Sequence, residues 1–144
     1  VAFSPSGDAI AVAHNTTPFI SAYPWSGSGF GTKFADPATS PGSDGVTVAF
    51  APSGNAIAVS TAINPSISVY PWSGSGFGAK FANPTTLPFG VGHGVAFSST
   101  GNAIAVGTDG GVVLYTYPWS GSGFGTKFAD PASPPTNCFA VAFN

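Results

Sequence analysis

Three tryptophans carry the first hint of chemistry in this chain. Trp25, Trp72 and Trp119 each follow a Pro and precede a Ser/Gly-rich turn. An indole face set beside Ser, Gly and Asn suits the C–H surface of a sugar, and the same ring suits a plug between packed sheets. Three equivalent rings in the most uniform part of the chain favour the plug. Lys33, Lys80 and Lys127 are the only Lys or Arg residues, with Asp36, Asn83 and Asp130 three places on. That spacing predicts a turn-stabilising pair of small energetic weight. No nucleophile accompanies it, so no charge relay is expected.

The remaining reactive side chains are scattered. His14 and His93 lack a Cys, His or carboxylate at metal-ligand spacing, so no metal site is expected. Asp109-Gly110-Gly111 reads as a hairpin turn rather than a calcium loop. Gly27-Ser28-Gly29 has no helix after it and is not a phosphate cradle. Cys138 is the single cysteine, which excludes an internal disulfide framework and suits a small apolar residue on a strand. With no Glu, and each Asp in a turn, general acid–base chemistry has few candidates. The expectation is a protein that is not an enzyme, with no catalytic residue and no cofactor.

The elements that hold these residues are repeated. A block of fifteen residues, Tyr-Pro-Trp-Ser-Gly-Ser-Gly-Phe-Gly-x-Lys-Phe-Ala-Asp/Asn-Pro, runs over 23–37, 70–84 and 117–131. Val-Ala-Phe recurs at positions 1, 48, 95 and 141, in steps of 47, 47 and 46. The units are therefore 1–47, 48–94 and 95–140, with 141–144 ending the opening strand of a fourth. Four strands are expected per unit. The first ends in Val-Ala-Phe and stops at a Pro/Gly turn, Ser4 to Gly7 in the first copy. The second, 9–13, alternates small residues with Ile and Val. The third, 19–23 (66–70 and 112–117 in the later copies), is expected to stop at the Pro that follows its Tyr, because Pro has no N–H for the ladder. The fourth is 30–34, and a variable connector, 38–45, leads to the next unit.

No 3.6-residue period persists anywhere. Four short antiparallel strands in about 47 residues, in tandem, predict an all-β, propeller-type repeat of four-stranded blades, three in this chain. A β-helix needs shorter coils, and a leucine-rich repeat needs a Leu ladder where this chain has only Leu87 and Leu114. The first-to-second-strand hairpin, Val1-Ala2-Phe3-Ser4-Pro5-Ser6-Gly7 followed by Ala9-Ile10-Ala11-Val12-Ala13, resembles that of the WD-repeat class of β-propeller. The same hairpin recurs at 48–60 and 95–107. The family's Trp-Asp pair is replaced by Tyr23-Pro24, Tyr70-Pro71 and Tyr117-Pro118, and Gly92-His93 lies too near its strand to match the family's Gly-His. The resemblance implies the fold and a scaffold or binding role, and it transfers no functional residue. A looser likeness joins the chain to aromatic-rich lectin propellers.

Composition narrows the partners. The 144 residues are 43% hydrophobic and only 6% charged, with a net charge of −2, which gives no electrostatic reason to bind nucleic acid. No apolar run approaches the roughly 18 residues of a membrane span, so membrane insertion is not expected. A hydrated but weakly self-repelling surface favours close packing of copies, as in an extracellular or virion-surface assembly. The sequence starts inside a repeat, which suits either a processed chain or a window of a longer array. Three blades form a sector with two open apolar sides, so the chain is expected to self-associate, in a ring of six or nine blades or in a filament. The strand carrying Cys138, Phe139, Ala140, Val141, Ala142 and Phe143 is expected to complete or replace Val1, Ala2 and Phe3 of a neighbouring copy. The first functional reading is a non-enzymatic structural or interaction module that assembles with itself. The alternative is a glycan-binding, lectin-like protein with one shallow site per blade at Trp25, Trp72 and Trp119.

Overall fold

The computed structural model describes residues 1–144, which hold ten β-strands and no helix. The strands are β1 (Ala2–Phe3), β2 (Ala9–Ala13), β3 (Ile20–Ser26), β4 (Gly29–Phe30), β5 (Gly45–Phe50), β6 (Ala56–Thr61), β7 (Ile67–Pro71), β8 (Gly92–Phe97), β9 (Ala103–Thr108) and β10 (Leu114–Pro118). They form three antiparallel sheets in chain order, β1-β2-β3-β4, β5-β6-β7 and β8-β9-β10. Each sheet gathers the strands of one repeat, with β5 and β8 starting at Gly45 and Gly92, ahead of the boundaries expected at 48 and 95.

The hairpin between first and second strands is set by one turn used three times. Gly7, Gly54 and Gly101 take φ values of 73°, 71° and 71°, a left-handed conformation that only Gly adopts without strain. Their N–H groups donate to the carbonyls of Ser4, Ala51 and Ser98 at 2.9, 2.8 and 2.9 Å. After the turn, period-two alternation gives β6 two different faces. Ala56 and Ala58 join one core cluster with the third unit, while Ile57 and Val59 join another with the first. Both faces of the middle sheet are thus buried.

The third strand ends on its Pro in two units, β7 at Pro71 and β10 at Pro118, and runs past it only in the first. β3 runs through Pro24, which pairs with Ala9, and the Trp25 N–H donates to the Asp8 carbonyl at 2.7 Å. In the later units Pro71 pairs with Ala56 and Pro118 with Ala103. The physical reason is which edge each residue faces. At Pro24 the missing N–H points away from β2, toward the chain that follows, so the inner ladder loses nothing.

The fourth strand bears that loss. In place of the expected 30–34, the first unit has only the two-residue β4, and the others have single bridges, Trp72 to Phe77 and Trp119 to Phe124. The segment hangs on isolated bonds: Gly31 N–H to the Pro24 carbonyl at 2.8 Å and Phe34 N–H to the Ala22 carbonyl at 2.9 Å, repeated in the other units. Pro can accept there but cannot donate back, so no ladder propagates. The chain also lies tight on the Pro ring. A Cβ placed on Gly31, Gly78 or Gly125 would sit 2.9, 2.8 or 2.9 Å from the Cβ of Pro24, Pro71 or Pro118.

One prediction follows from that approach. Gly78→Ala adds a methyl where Pro71 already stands and should cost about 1–3 kcal/mol. Gly27→Ala, with nothing near its Cβ, should change stability by less than about 0.5 kcal/mol. Urea denaturation of the two variants separates them.

Candidate functional site

The junction between units is built on tryptophan. Trp72 and Trp119 are buried, at 5% and 4% exposure. Each follows the third-strand Pro, which directs the ring over the edge of its own sheet toward the preceding unit. Trp72 meets the edge of Phe34 from the first unit at 5.2 Å and 89°, and Trp119 meets Phe81 from the second at 5.2 Å and 87°. The rest of each cage comes from the ring's own unit. Phe50 and Phe77 lie 5.6 and 5.3 Å from Trp72, and Phe97 and Phe124 lie 5.7 and 5.2 Å from Trp119. Such edge-to-face pairs add about 0.5–1.5 kcal/mol each beyond the area they bury.

A hydrogen bond accompanies each ring. Tyr70 donates its hydroxyl to the Thr39 carbonyl at 2.9 Å, and Tyr117 donates to the Thr86 carbonyl at 2.7 Å, so each Tyr reaches the connector of the unit before it. Burial pushes both phenols above their ordinary pKa. Neither ionises in any ordinary buffer, so both remain donors.

The first unit carries the same residues without that neighbour. Among aromatic rings Trp25 pairs with Phe3 and Phe30 of its own unit, at 5.4 and 5.0 Å, and it remains only partly buried, as does Tyr23. At the opposite end, Phe128, the counterpart of Phe34 and Phe81, is 47% exposed, and Pro131 is exposed where Pro37 and Pro84 are buried. Trp25, Trp72 and Trp119 therefore lie in successive units and do not gather in one pocket. The indole faces of Trp72 and Trp119 are covered by phenylalanines.

The lysine pairs sit where their spacing places them. Lys33 Nζ donates to Asp36 at 2.6 Å, Lys127 meets Asp130, and Lys80 donates to the Asn83 amide oxygen. All three lie on the fourth segment, Lys33 exposed and Lys80 and Lys127 partly buried, and burial lowers the Lys80 ammonium below its ordinary pKa. Asp109 does more. Its Oδ1 accepts the Val91 N–H at 2.8 Å and its Oδ2 lies 3.3 Å from His93 Nε2, with the Val91 N–H chiefly holding the carboxyl below its usual pKa. Asp8 is likewise lowered by the hydroxyls of Ser6 and Ser4, at 2.6 and 2.9 Å. A cleft of about 320 Å³ opens between the first two turn crowns, rimmed by Ser6, Asp8, Ser53, Asn55 and Ser73.

Sequence spacing gave no sign of one arrangement. His14 Nε2 lies 3.0 Å from the Ser21 hydroxyl, and Thr16 lies 3.3 Å from His14 Nδ1. The signal was one of topology: His14 follows β2 directly and Ser21 lies on β3, paired to it. The third partner is the Thr16 hydroxyl, where the orienting group of a nucleophile–base pair is commonly a carboxylate or an amide. No three His, Cys, Asp or Glu side chains gather into a cation site.

The C-terminal segment is the other departure. Residues 137–143, expected to be a complete strand, belong to no ladder because no second strand lies at their outer edge. They run along the third sheet, where the Cys138 N–H donates to the Thr108 carbonyl at 3.2 Å and Phe139 meets His93 at 5.2 Å. Cys138 is partly buried, which pushes its thiol pKa up and makes it less reactive. Comparison of the chain with protein-family models and with curated proteins finds no match to either.

Two predictions belong to the junction. Tyr70→Phe and Tyr117→Phe should each cost about 1 kcal/mol, whereas Tyr23→Phe, which loses no hydrogen bond within the chain, should leave the stability of the isolated chain unchanged in chemical denaturation. Asp109 has a folded pKa below its ordinary 3.8. Its contribution is therefore full above that value and is lost as pH falls through the folded one. Denaturation midpoints of the chain and of Asp109→Asn should differ near neutrality and converge in acid.

Proposed function

We propose that this protein is a non-enzymatic structural or interaction module of the β-propeller type, related to the WD-repeat class, that assembles with copies of itself through its sheet faces. One observation carries the reading. The same junction is built twice inside the chain, and its two halves recur on the first and third units with their rings partly or largely exposed. The first unit offers Trp25 and the Tyr23 hydroxyl. The third offers Phe128 and the Ser133 carbonyl, at the repeat position of Thr39 and Thr86. Stacking third unit on first repeats a contact the chain already makes, with no new chemistry required. Two copies would give six units and three would give nine; a rotation that does not close would give a filament.

The low charge supports the same reading, because copies repel one another little, and it suits an extracellular or virion surface. The glycan alternative has less behind it. Two of the three indole faces it needs are covered by phenylalanines, and only Trp25 keeps surface to offer.

Size exclusion with light scattering tests the proposal. The chain should run as a discrete dimer or trimer or as open-ended species, and Phe128→Ala, an exposed substitution harmless to the single chain, should shift it toward single-chain mass. A monodisperse single chain at high concentration overturns the proposal.

A further inference from the structure

We infer that the junction between the second and third units carries a docking site for a peptide segment of another protein, one that sets a Lys or Arg beside an apolar side chain. The site uses none of the surfaces in the stacking proposed above. It lies at the end of the sheets opposite the turns of Gly7, Gly54 and Gly101. There the β6–β7 and β9–β10 hairpins meet the connector between β7 and β8.

The two junctions differ at that end. The first has Thr16 on its hairpin and Ser40, Gly42 and Asp44 on its connector. At the same repeat positions the second has Ile63, Leu87, Phe89 and Val91. Four polar or small residues are replaced by apolar ones, and burial does not explain the change. Ile63, Leu87 and Phe89 are 60%, 45% and 59% exposed. Ile63 and Phe89 line one open cleft of about 260 Å³, together with Val91 and Asp109. Single exposed apolar residues are common, but a contiguous set of them marks a contact surface.

The walls of the cleft are fixed before any partner arrives. The Ile63 N–H donates to Ser43 Oγ at 3.2 Å, and Thr61 Oγ1 donates to the Ile63 carbonyl at 3.1 Å. On the other wall, Ser66 Oγ donates to the Gly90 carbonyl at 2.5 Å, and the Val91 N–H donates to Asp109 Oδ1 at 2.8 Å. The Phe89 ring rests on the third unit, where a Cβ on Gly110 would come within 3.1 Å of its Cδ1. A cleft held in this way loses little conformational freedom on binding.

Charge selects the occupant. Asp44 is exposed, and its carbonyl accepts the Ala62 N–H at 3.0 Å, which sets it beside one wall. Asp109 stands at the other, with a side chain 39% exposed and Oδ2 at 3.3 Å from His93 Nε2. An apolar cleft with an acidic residue at each wall matches an apolar side chain next to a cation. The exposed Phe89 ring offers that cation a second attraction. A second copy matches poorly. The chain has no Arg, and Lys33, Lys80 and Lys127 are bonded to Asp36, Asn83 and Asp130.

Fluorescence anisotropy with the full chain is the test. The probes are labelled Gly-Arg-Leu-Phe-Arg-Gly, the same peptide with Glu for both Arg, and the same peptide with Ser for Leu and Phe. The first should bind about tenfold or more tighter than either of the others, and its lead over the Glu peptide should shrink as salt is raised. Ile63→Thr combined with Phe89→Ala should weaken the first peptide about tenfold. Asp44→Asn should weaken it about two- to fivefold and leave the Glu peptide no weaker. Ile63 and Phe89 are exposed, and the first junction folds with Thr16 and Gly42 at their positions, so the double variant keeps its fold. Equal binding of the three peptides overturns the inference, as does no binding of the first at millimolar concentration or a double variant that binds like the parent chain. Self-association lost in the double variant assigns the cleft to a second copy and overturns the peptide as its occupant. The stacking is judged separately, by Phe128→Ala.

Discussion

Everything in this structure depends on a tryptophan finding a phenylalanine from the unit before it. A three-stranded sheet of this size cannot bury two faces alone. The Trp72–Phe34 and Trp119–Phe81 contacts fix how far apart neighbouring sheets lie and how they are turned, and the tyrosine hydroxyls then reach the preceding connector at one place each. The distance is the same, 5.2 Å, in both junctions although the connectors between units differ in sequence. The junction is thus set by the uniform block, and the connectors only have to span it.

The block achieves this by giving up a strand. Pro24, Pro71 and Pro118 remove the donor that a fourth strand would need, so the following segment is free of the ladder and can lay Phe34, Phe81 or Phe128 beyond the sheet edge. The Gly that follows the next Phe lets this chain ride on the Pro ring at about van der Waals limit. Pro, Trp, Gly and Phe in this order are one device: stop the ladder, place the ring, lower the chain onto the Pro, deliver the partner ring to the next unit.

How much of this could be read beforehand follows from what kind of information each part carries. The hairpins of first and second strands were legible because period-two alternation and a Pro/Gly turn are local signals, and the all-β class followed. The buried tryptophans were legible as plugs from their recurrence. The third strand's end at the Pro holds for β7 and β10 and fails only in the first unit, because the rule that Pro stops a ladder does not say which edge it faces; Pro24 spares the Ala9 side and breaks only the other. The fourth strand was misread for the same reason. His14 and Ser21 were invisible because strand pairing, not sequence distance, brings them together. The end segment reads as a strand by composition but forms none, because a strand exists only with a partner at its edge.

The two faces of a unit are not alike, and that asymmetry decides what kind of assembly is open to it. One face presents Ile57, Val59, Tyr70 and Trp72, the other Ala51, Ala56, Ala58, Ile67 and Val69, with no aromatic ring among them. The bulky face of one unit packs on the small-residue face of its neighbour. Two bulky faces would clash at that spacing and two small-residue faces would leave voids, each costly in a close-packed core. A two-fold, face-to-face dimer is therefore disfavoured by volume alone. The head-to-tail contact proposed above keeps one polarity at every junction, and such a contact either closes into a ring or continues. In that proposed assembly the choice rests on the rotation between successive sheets, which the meeting of a tryptophan ring with a phenylalanine edge constrains.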